Sequence, residues 1–243
     1  MALINGSDLN DNITGDRSGV AERDIINGLT GDDTLSGLGG NDSLNGGDGI
    51  DILIGGEGDD FLAGNRGDDR MFAGDGNDRM FWIDGDGSDV MLGGAGSDTV
   101  EFVGSAKAGD TLTLEQGAGN DSVRLSRTNL VPITLNIFEV ETINIAGVEG
   151  RDTLFIGRLG ETSLSKINFS GGAGDDLLSV SNNPMPQIDA RGDSGNDNLF
   201  GGNQNDILNG GSGNDALFGG GGNDSSGLGR VGWGLSGLGP TGN

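Results

Sequence analysis

Large apolar side chains recur along much of this chain at intervals of nine residues. Leu35, Leu44, Leu53, Leu62, Met71 and Met80 mark one run, and Leu208 and Leu217 belong to a second. Two residues before each apolar position stands an Asp, so the acids keep the same step: Asp24, Asp33, Asp42, Asp51, Asp60, Asp69 and Asp78. Asp89 and Asp98 continue after a two-residue insertion, and Asp197, Asp206, Asp215 and Asp224 restart the period near the C-terminus. From Gly46 the units read GGDGIDILI, GGEGDDFLA, GNRGDDRMF and AGDGNDRMF. Self-similarity at a fixed short period is the signature of a solenoid.

The spacing fixes the local geometry. Six residues of the GGxGxD type form a turn in which glycines permit positive φ and close backbone approach, and the next three form a short strand whose middle side chain faces inward. Two units complete one coil, and coils stack about 4.8 Å apart, so turns eighteen residues apart lie on one another. The expected fold is all-β: a parallel β-roll, or β-solenoid, of Gly-Asp-rich nonapeptides with a wider irregular segment in the middle. The pattern divides the chain into a cap with one imperfect repeat (1–23), a first roll (24–101), wider coils (102–170), a second roll (171–226) and a Gly-rich tail or cap (227–243). In the cap Asp11 and Ile13 keep the imperfect unit, and in the tail Trp233, Leu235 and Leu238 are candidates to cover the last coil.

Between 102 and 170 the nine-residue period gives way to alternating strand patterns, ITLNI at 133–137 and TINIA at 142–146. Gly-Asp signals survive there at wider intervals, placing Asp121, Asp152, Asp176 and Asp197 at candidate corners.

Composition narrows the chemistry. Of 243 residues 52 are Gly and only 4 Pro, without a three-residue Gly period, which excludes collagen. The net charge is −25, and the 38 acids divide into 30 Asp and 8 Glu. Asp beside Gly belongs in tight turns, and clustered carboxylates suit hard cations. Scattered Lys and Arg argue against nucleic acid and anionic membranes. Without Cys or His there are no disulfides, zinc thiolates, imidazole ligands or histidine bases. No segment is long and apolar enough to span a bilayer, and the first residues, MALINGSDLNDNITGD, do not read as a secretory signal peptide.

A bare column of stacked carboxylates repels itself, so the metal-free chain is expected to be largely unfolded. Calcium suits such a column better than magnesium, because it accepts six to eight oxygens in flexible geometry.

The repeated units resemble the RTX family, the repeats-in-toxin or hemolysin-type calcium-binding repeat, whose nonapeptide reads G-G-x-G-x-D-x-U-x. The match is tight over residues 28–101 and 171–224. The resemblance implies that Ca²⁺ is held by turn carbonyls and by sixth-place Asp side chains of two stacked turns. It points to Asp33, Asp42, Asp51, Asp60, Asp69, Asp78, Asp89, Asp98, Asp176, Asp197, Asp206, Asp215 and Asp224, with Gly46, Gly49, Gly55, Gly58, Gly64, Gly67, Gly210 and Gly213, as metal-site residues. Four well-formed sites pair Asp33 with Asp51, Asp42 with Asp60, Asp51 with Asp69 and Asp60 with Asp78; two more pair Asp197 with Asp215 and Asp206 with Asp224. Leu29 and Leu38 depart from the second Gly, Gln204 from the fourth, and Ser226 from the aliphatic place.

Trp82, near Phe72 and Phe81, sits at the two-residue insertion and is expected to fill space rather than stack on a sugar. Arg124 and Arg127 are expected as solvated strand residues that balance nearby acids, ahead of the alternative that they bind an acidic glycan. Three functions remain. The resemblance favours a calcium-responsive folding module of a bacterial extracellular protein exported by a type I system. A calcium-stiffened surface spacer or adhesin comes next, and third is a polysaccharide-active enzyme or accessory, for which no motif is present. Besides calcium ions, the open partner classes are polysaccharide and cell-surface components.

Overall fold

A computed structural model describes residues 2–15, 22–181 and 186–227. Trp233, Leu235 and Leu238, and with them the expected tail, lie outside the described residues. Among those described every regular element is a strand. The chain forms two compact units, one made of 1–102 and 133–142, the other of 103–132 and 143–243.

The first unit is a β-roll of two facing sheets. One contains Leu3–Asn5, Ile25–Thr30, Ser43–Asp48, Phe61–Arg66, Arg79–Ile83 and Thr99–Val103; the other contains Asn12–Thr14, Thr34–Gly39, Ile52–Glu57, Arg70–Gly76, Val90–Gly96 and Ile133–Phe138. Successive strands alternate between sheets, so each pairs in parallel with the strand one coil away. Most strands of the roll run for six residues or so, not three. Pairing continues past the apolar triplet into the first places of the next turn, as in Gly56 with Gly74 and Glu57 with Asp75.

The side chains at the apolar place alternate toward the narrow space between sheets. Leu35, Leu44, Leu53, Leu62, Met71, Met80 and Met91 are fully buried there. Each coil adds essentially one large side chain per sheet to the core, so burial contributes roughly 1.5–3 kcal/mol per large side chain. That is little for eighteen ordered residues, each costing about 1–2 kcal/mol of backbone entropy.

The two extra residues before Asp89 leave the roll as a turn at Asp84–Gly85. Asp86 donates to the Ile83 carbonyl at 3.0 Å, and the Ile83 N–H donates to Asp86 Oδ2 at 2.8 Å. Trp82 packs beneath this turn. It is fully buried, its ring stacks on Phe102 with centroids 4.4 Å apart, and its indole N–H donates to the Gly87 carbonyl at 2.9 Å. It fills space and offers no face to a sugar.

The second unit also has two sheets. One orders Thr142–Glu149, Lys166–Ala173, Gln187–Ser194, Ile207–Asn209 and Ser225–Gly227. The other orders Ser122–Arg127, Thr111–Gln116, Thr153–Ile156, Leu177–Val180, Asn198–Phe200 and Ala216–Phe218. Registers widen to 24 residues between Thr153 and Leu177 and 21 between Leu177 and Asn198, then return to 18 between Asn198 and Ala216.

The parallel rule is broken in this sheet. Thr111–Gln116 and Ser122–Arg127 form an antiparallel hairpin with Leu114 opposite Leu125. The GAGND string that marked Asp121 as a solenoid corner is the tip of this hairpin. There the Gly117 N–H donates to the Ser122 carbonyl at 2.9 Å, and Asp121 takes φ 48°. The expected corner at Asp121 is therefore corrected: a short Gly-Asn-Asp string satisfies a two-strand turn as readily as a coil corner. Asp110 occupies the corner instead.

Candidate calcium sites

At each regular corner three contacts recur. The N–H of the sixth-place Asp donates to Oδ1 of the Asp one coil further on. In the first unit the distances are 2.8 Å for Asp33 to Asp51, 2.7 Å for Asp42 to Asp60, 2.8 Å for Asp51 to Asp69 and 2.7 Å for Asp60 to Asp78. The ladder passes the insertion unbroken, with Asp69 to Asp89 and Asp78 to Asp98 both at 2.9 Å. In the second unit Asp152 donates to Asp176 at 2.7 Å, Asp176 to Asp197 at 2.9 Å, Asp197 to Asp215 at 3.1 Å and Asp206 to Asp224 at 3.0 Å.

The second oxygen tells a different story. Oδ2 of Asp33, Asp42, Asp51, Asp60, Asp69, Asp78, Asp89, Asp98, Asp152, Asp176 and Asp197 is buried without a hydrogen-bond partner. A carboxylate oxygen in that position costs several kcal/mol unless something positive meets it.

The third contact shows where it points. Where the first place of a turn is Gly, it leaves an empty Cβ position lined by oxygen. A Cβ on Gly46 would overlap Asp51 Oδ2 and come within 2.8 Å of the Gly64 carbonyl. One on Gly55 would overlap Asp60 Oδ2 and approach the Ala73 carbonyl at 2.5 Å. Gly64 and Gly210 likewise face Asp69 Oδ2 and Asp215 Oδ2. The fourth-place glycines, Gly49, Gly58, Gly67 and Gly213, take φ between 118° and 148°, and a Cβ there would overlap the carbonyl of the coil before. The second place takes positive φ even where Leu holds it: Leu29 adopts 87° and Leu38 78°.

Burial raises the acids' pKa values. Desolvation dominates, the backbone N–H bond opposes it, and neighbouring carboxylates add to it. Asp51, Asp98 and Asp197 are pushed up to about 6, Asp60, Asp69 and Asp152 to about 7, and Asp89 to about 8. Asp42, Asp78, Asp176 and Asp206 are raised too, by burial first. Among the described residues no three acidic side chains converge on one point. A cation here would take one carboxylate oxygen per turn and backbone carbonyls for the rest, a hard-oxygen set with the looseness that calcium tolerates.

Four segments, residues 18–53, 45–80, 83–101 and 191–225, match the RTX calcium-binding nonapeptide repeat. These four segments are RTX calcium-binding repeats. RTX repeats bind Ca²⁺, and the orphaned oxygens and the Gly cradles fit that ion. No curated protein matches the chain. Among the described residues no helix is long and apolar enough to cross a membrane.

Not every RTX corner is alike. In the turn Gly201–Asp206, where Gln204 replaces the fourth Gly, the Gly202 N–H folds in to Asp206 Oδ2 at 2.7 Å and Ile188 donates to Oδ1 at 2.8 Å. Both oxygens are occupied, and Asp224, the partner of Asp206, is exposed together with Ser226. Asp110 is also satisfied. Its Oδ2 accepts from Ser105 at 2.7 Å and its Oδ1 meets Arg127 Nη1 at 3.3 Å, with both side chains almost wholly buried. Arg127 is therefore not the solvated strand residue expected; it is an internal cation. Arg124 remains half exposed and pairs with Glu115.

A second, outer ladder does not show in the nonapeptide pattern. Fifth-place Asn and Asp side chains accept the fifth-place N–H of the next coil, as in Ile50 to Asp32 at 2.9 Å, Asp59 to Asn41 at 3.1 Å and Asn77 to Asp59 at 2.8 Å. Its only trace in the sequence is the frequent Asn or Asp just before the sixth-place Asp.

Proposed function

We propose that this RTX chain is a folding module switched by calcium. Cations fill the Gly-Asp corners between stacked turns, and the roll forms as they bind. The observation that carries the reading is the row of buried carboxylate oxygens with no protein partner. Thin coils with about one large core side chain per strand lack the packing to offset that cost unaided.

The ligand set extends the six sites read from the sequence. The unbroken ladder supports Asp69 with Asp89 and Asp78 with Asp98 in addition to the four pairs of the first unit. In the second unit it supports Asp152 with Asp176, Asp176 with Asp197 and Asp197 with Asp215. The Asp206–Asp224 corner is the weakest, since Asp206 has no oxygen left over.

RTX repeats are typical of secreted bacterial proteins, which supports a chain that leaves the cell unfolded at low calcium, by a type I route, and folds outside. Extracellular calcium modules bind at about 10⁻⁴ to 10⁻³ M, which suits that transition. Repeat and fold are those of a binding and structural module.

The test is far-UV circular dichroism of chelator-stripped protein titrated with calcium, with magnesium in parallel. A cooperative gain of β-structure for calcium alone is expected. A chain already folded in chelator would overturn the reading.

A further inference from the structure

We infer that Glu139 and Glu141, outside every segment that matches the repeat, close one more calcium site on the turn Gly93–Asp98. The inference rests on the reading that the regular corners hold calcium.

The support is a comparison of contacts. At the regular corner Gly55–Asp60, Asp60 donates its N–H to Asp78 Oδ1, keeps an orphaned Oδ2, and a Cβ on Gly55 would collide with that oxygen and the Ala73 carbonyl. At Gly93–Asp98 the same contacts recur with different partners. The Asp98 N–H donates to Glu141 Oε2 at 2.7 Å, Asp98 Oδ2 is buried without a partner, and a Cβ on Gly93 would collide with it and with the Glu139 carbonyl. Asp98 is fully buried.

Glu139 thus stands where the next coil's first-place carbonyl belongs, and Glu141 where its Asp belongs. The regular turn separates these two roles by five residues; here two residues suffice. Glu139 reaches its place with φ 49°, and the extra methylene of Glu141 spans what a longer turn would otherwise cover. The segment is pinned by the Thr142 N–H to the Asp98 carbonyl at 3.0 Å and, at 3.3 Å, the Gly94 N–H to the Glu139 carbonyl. An ion at this corner would tie the strand Ile133–Phe138 and its C-terminal extension to the end of the nonapeptide run, across a gap of 43 residues.

The experiment is equilibrium dialysis of the full chain at saturating calcium, counting bound ions. Glu141→Gln keeps an acceptor for the Asp98 N–H but removes the charge, and is expected to bind one ion fewer than the parent. Glu139→Gln, which alters the side chain of a residue whose backbone carbonyl does the work, is expected to keep the full number. An unchanged count in Glu141→Gln overturns the inference. Should that variant fail to fold, Glu141→Lys supplies a fixed cation against Asp98, as Arg127 does against Asp110. It is then expected to fold with one ion fewer, and the parental count would again overturn the site. A parent chain that binds no calcium would instead sink the reading of the regular corners.

Discussion

Arg127→Met removes the guanidinium that faces Asp110 and keeps most of the side chain's length. The two side chains are 1% and 0% exposed and their charged atoms 3.3 Å apart. Solvent therefore screens the pair little, and the loss of one partner strands the other charge. Breaking a buried pair from one side costs about 3–5 kcal/mol, whereas an exposed pair is worth about 0–1 kcal/mol. Asp110 retains only the Ser105 N–H, and Arg127 also gives up its Nε bond to the Val131 carbonyl at 3.0 Å. We expect the single variant to lose about 3–5 kcal/mol in chemical denaturation at saturating calcium. The double variant Arg127→Met with Asp110→Asn should recover most of that, since neither member of the pair then carries a charge. The coupling energy between the two positions is the quantity to measure. A single-variant loss below about 1 kcal/mol, or a double variant no better than the single, would refute the view of Arg127 as an internal cation.

Other outcomes are expected from the corner geometry and the core. Leu29→Gly and Leu38→Gly relieve positive φ at side chains that are 45% and 44% exposed, so each should stabilise the calcium-bound chain by about 1 kcal/mol in denaturation midpoints. Without calcium the acids' raised pKa values favour the folded state while they are protonated. That contribution is complete below the ordinary value of 3.8 and is lost as pH rises through about 6 to 8. Circular dichroism of metal-free protein should then show more β-structure at pH 5 than at pH 8, and the reverse order would count against the assignment. Leu62→Ala empties the centre of a coil and should cost about 2–5 kcal/mol, read as a higher calcium concentration at the folding midpoint.

Much of the roll was legible because its information is local. The Gly pattern, the sixth-place Asp and the apolar side chain two places on all sit within nine residues, and stacking at eighteen comes from two units per coil. Counting stacked Asp42 on Asp60 and Asp197 on Asp215, and the resemblance to RTX repeats named them as pairs. The middle was less legible because its partners are distant. Asp121 carried the right letters but serves a hairpin, while Asp110, in the string KAGDT, joins Asp152 across 42 residues. Arg127 and Glu141 carry no repeat signal; only the folded chain sets them against Asp110 and Asp98. Trp82 was readable, since a bulky ring at an insertion must find room somewhere, and it finds it between Phe102 and the turn above.

The turn at Asp84–Gly85 has a practical side. Two surplus residues leave the coil there, the Asp69–Asp89 and Asp78–Asp98 rungs stay at 2.9 Å, and a Cβ on Gly85 would meet nothing within 4 Å. A guest peptide grafted between these residues would hang in solvent while the flanking corners keep their grip on the register. With folding coupled to calcium as proposed, the roll would become a display scaffold whose cargo is presented when calcium is supplied and released to a slack chain when it is withdrawn.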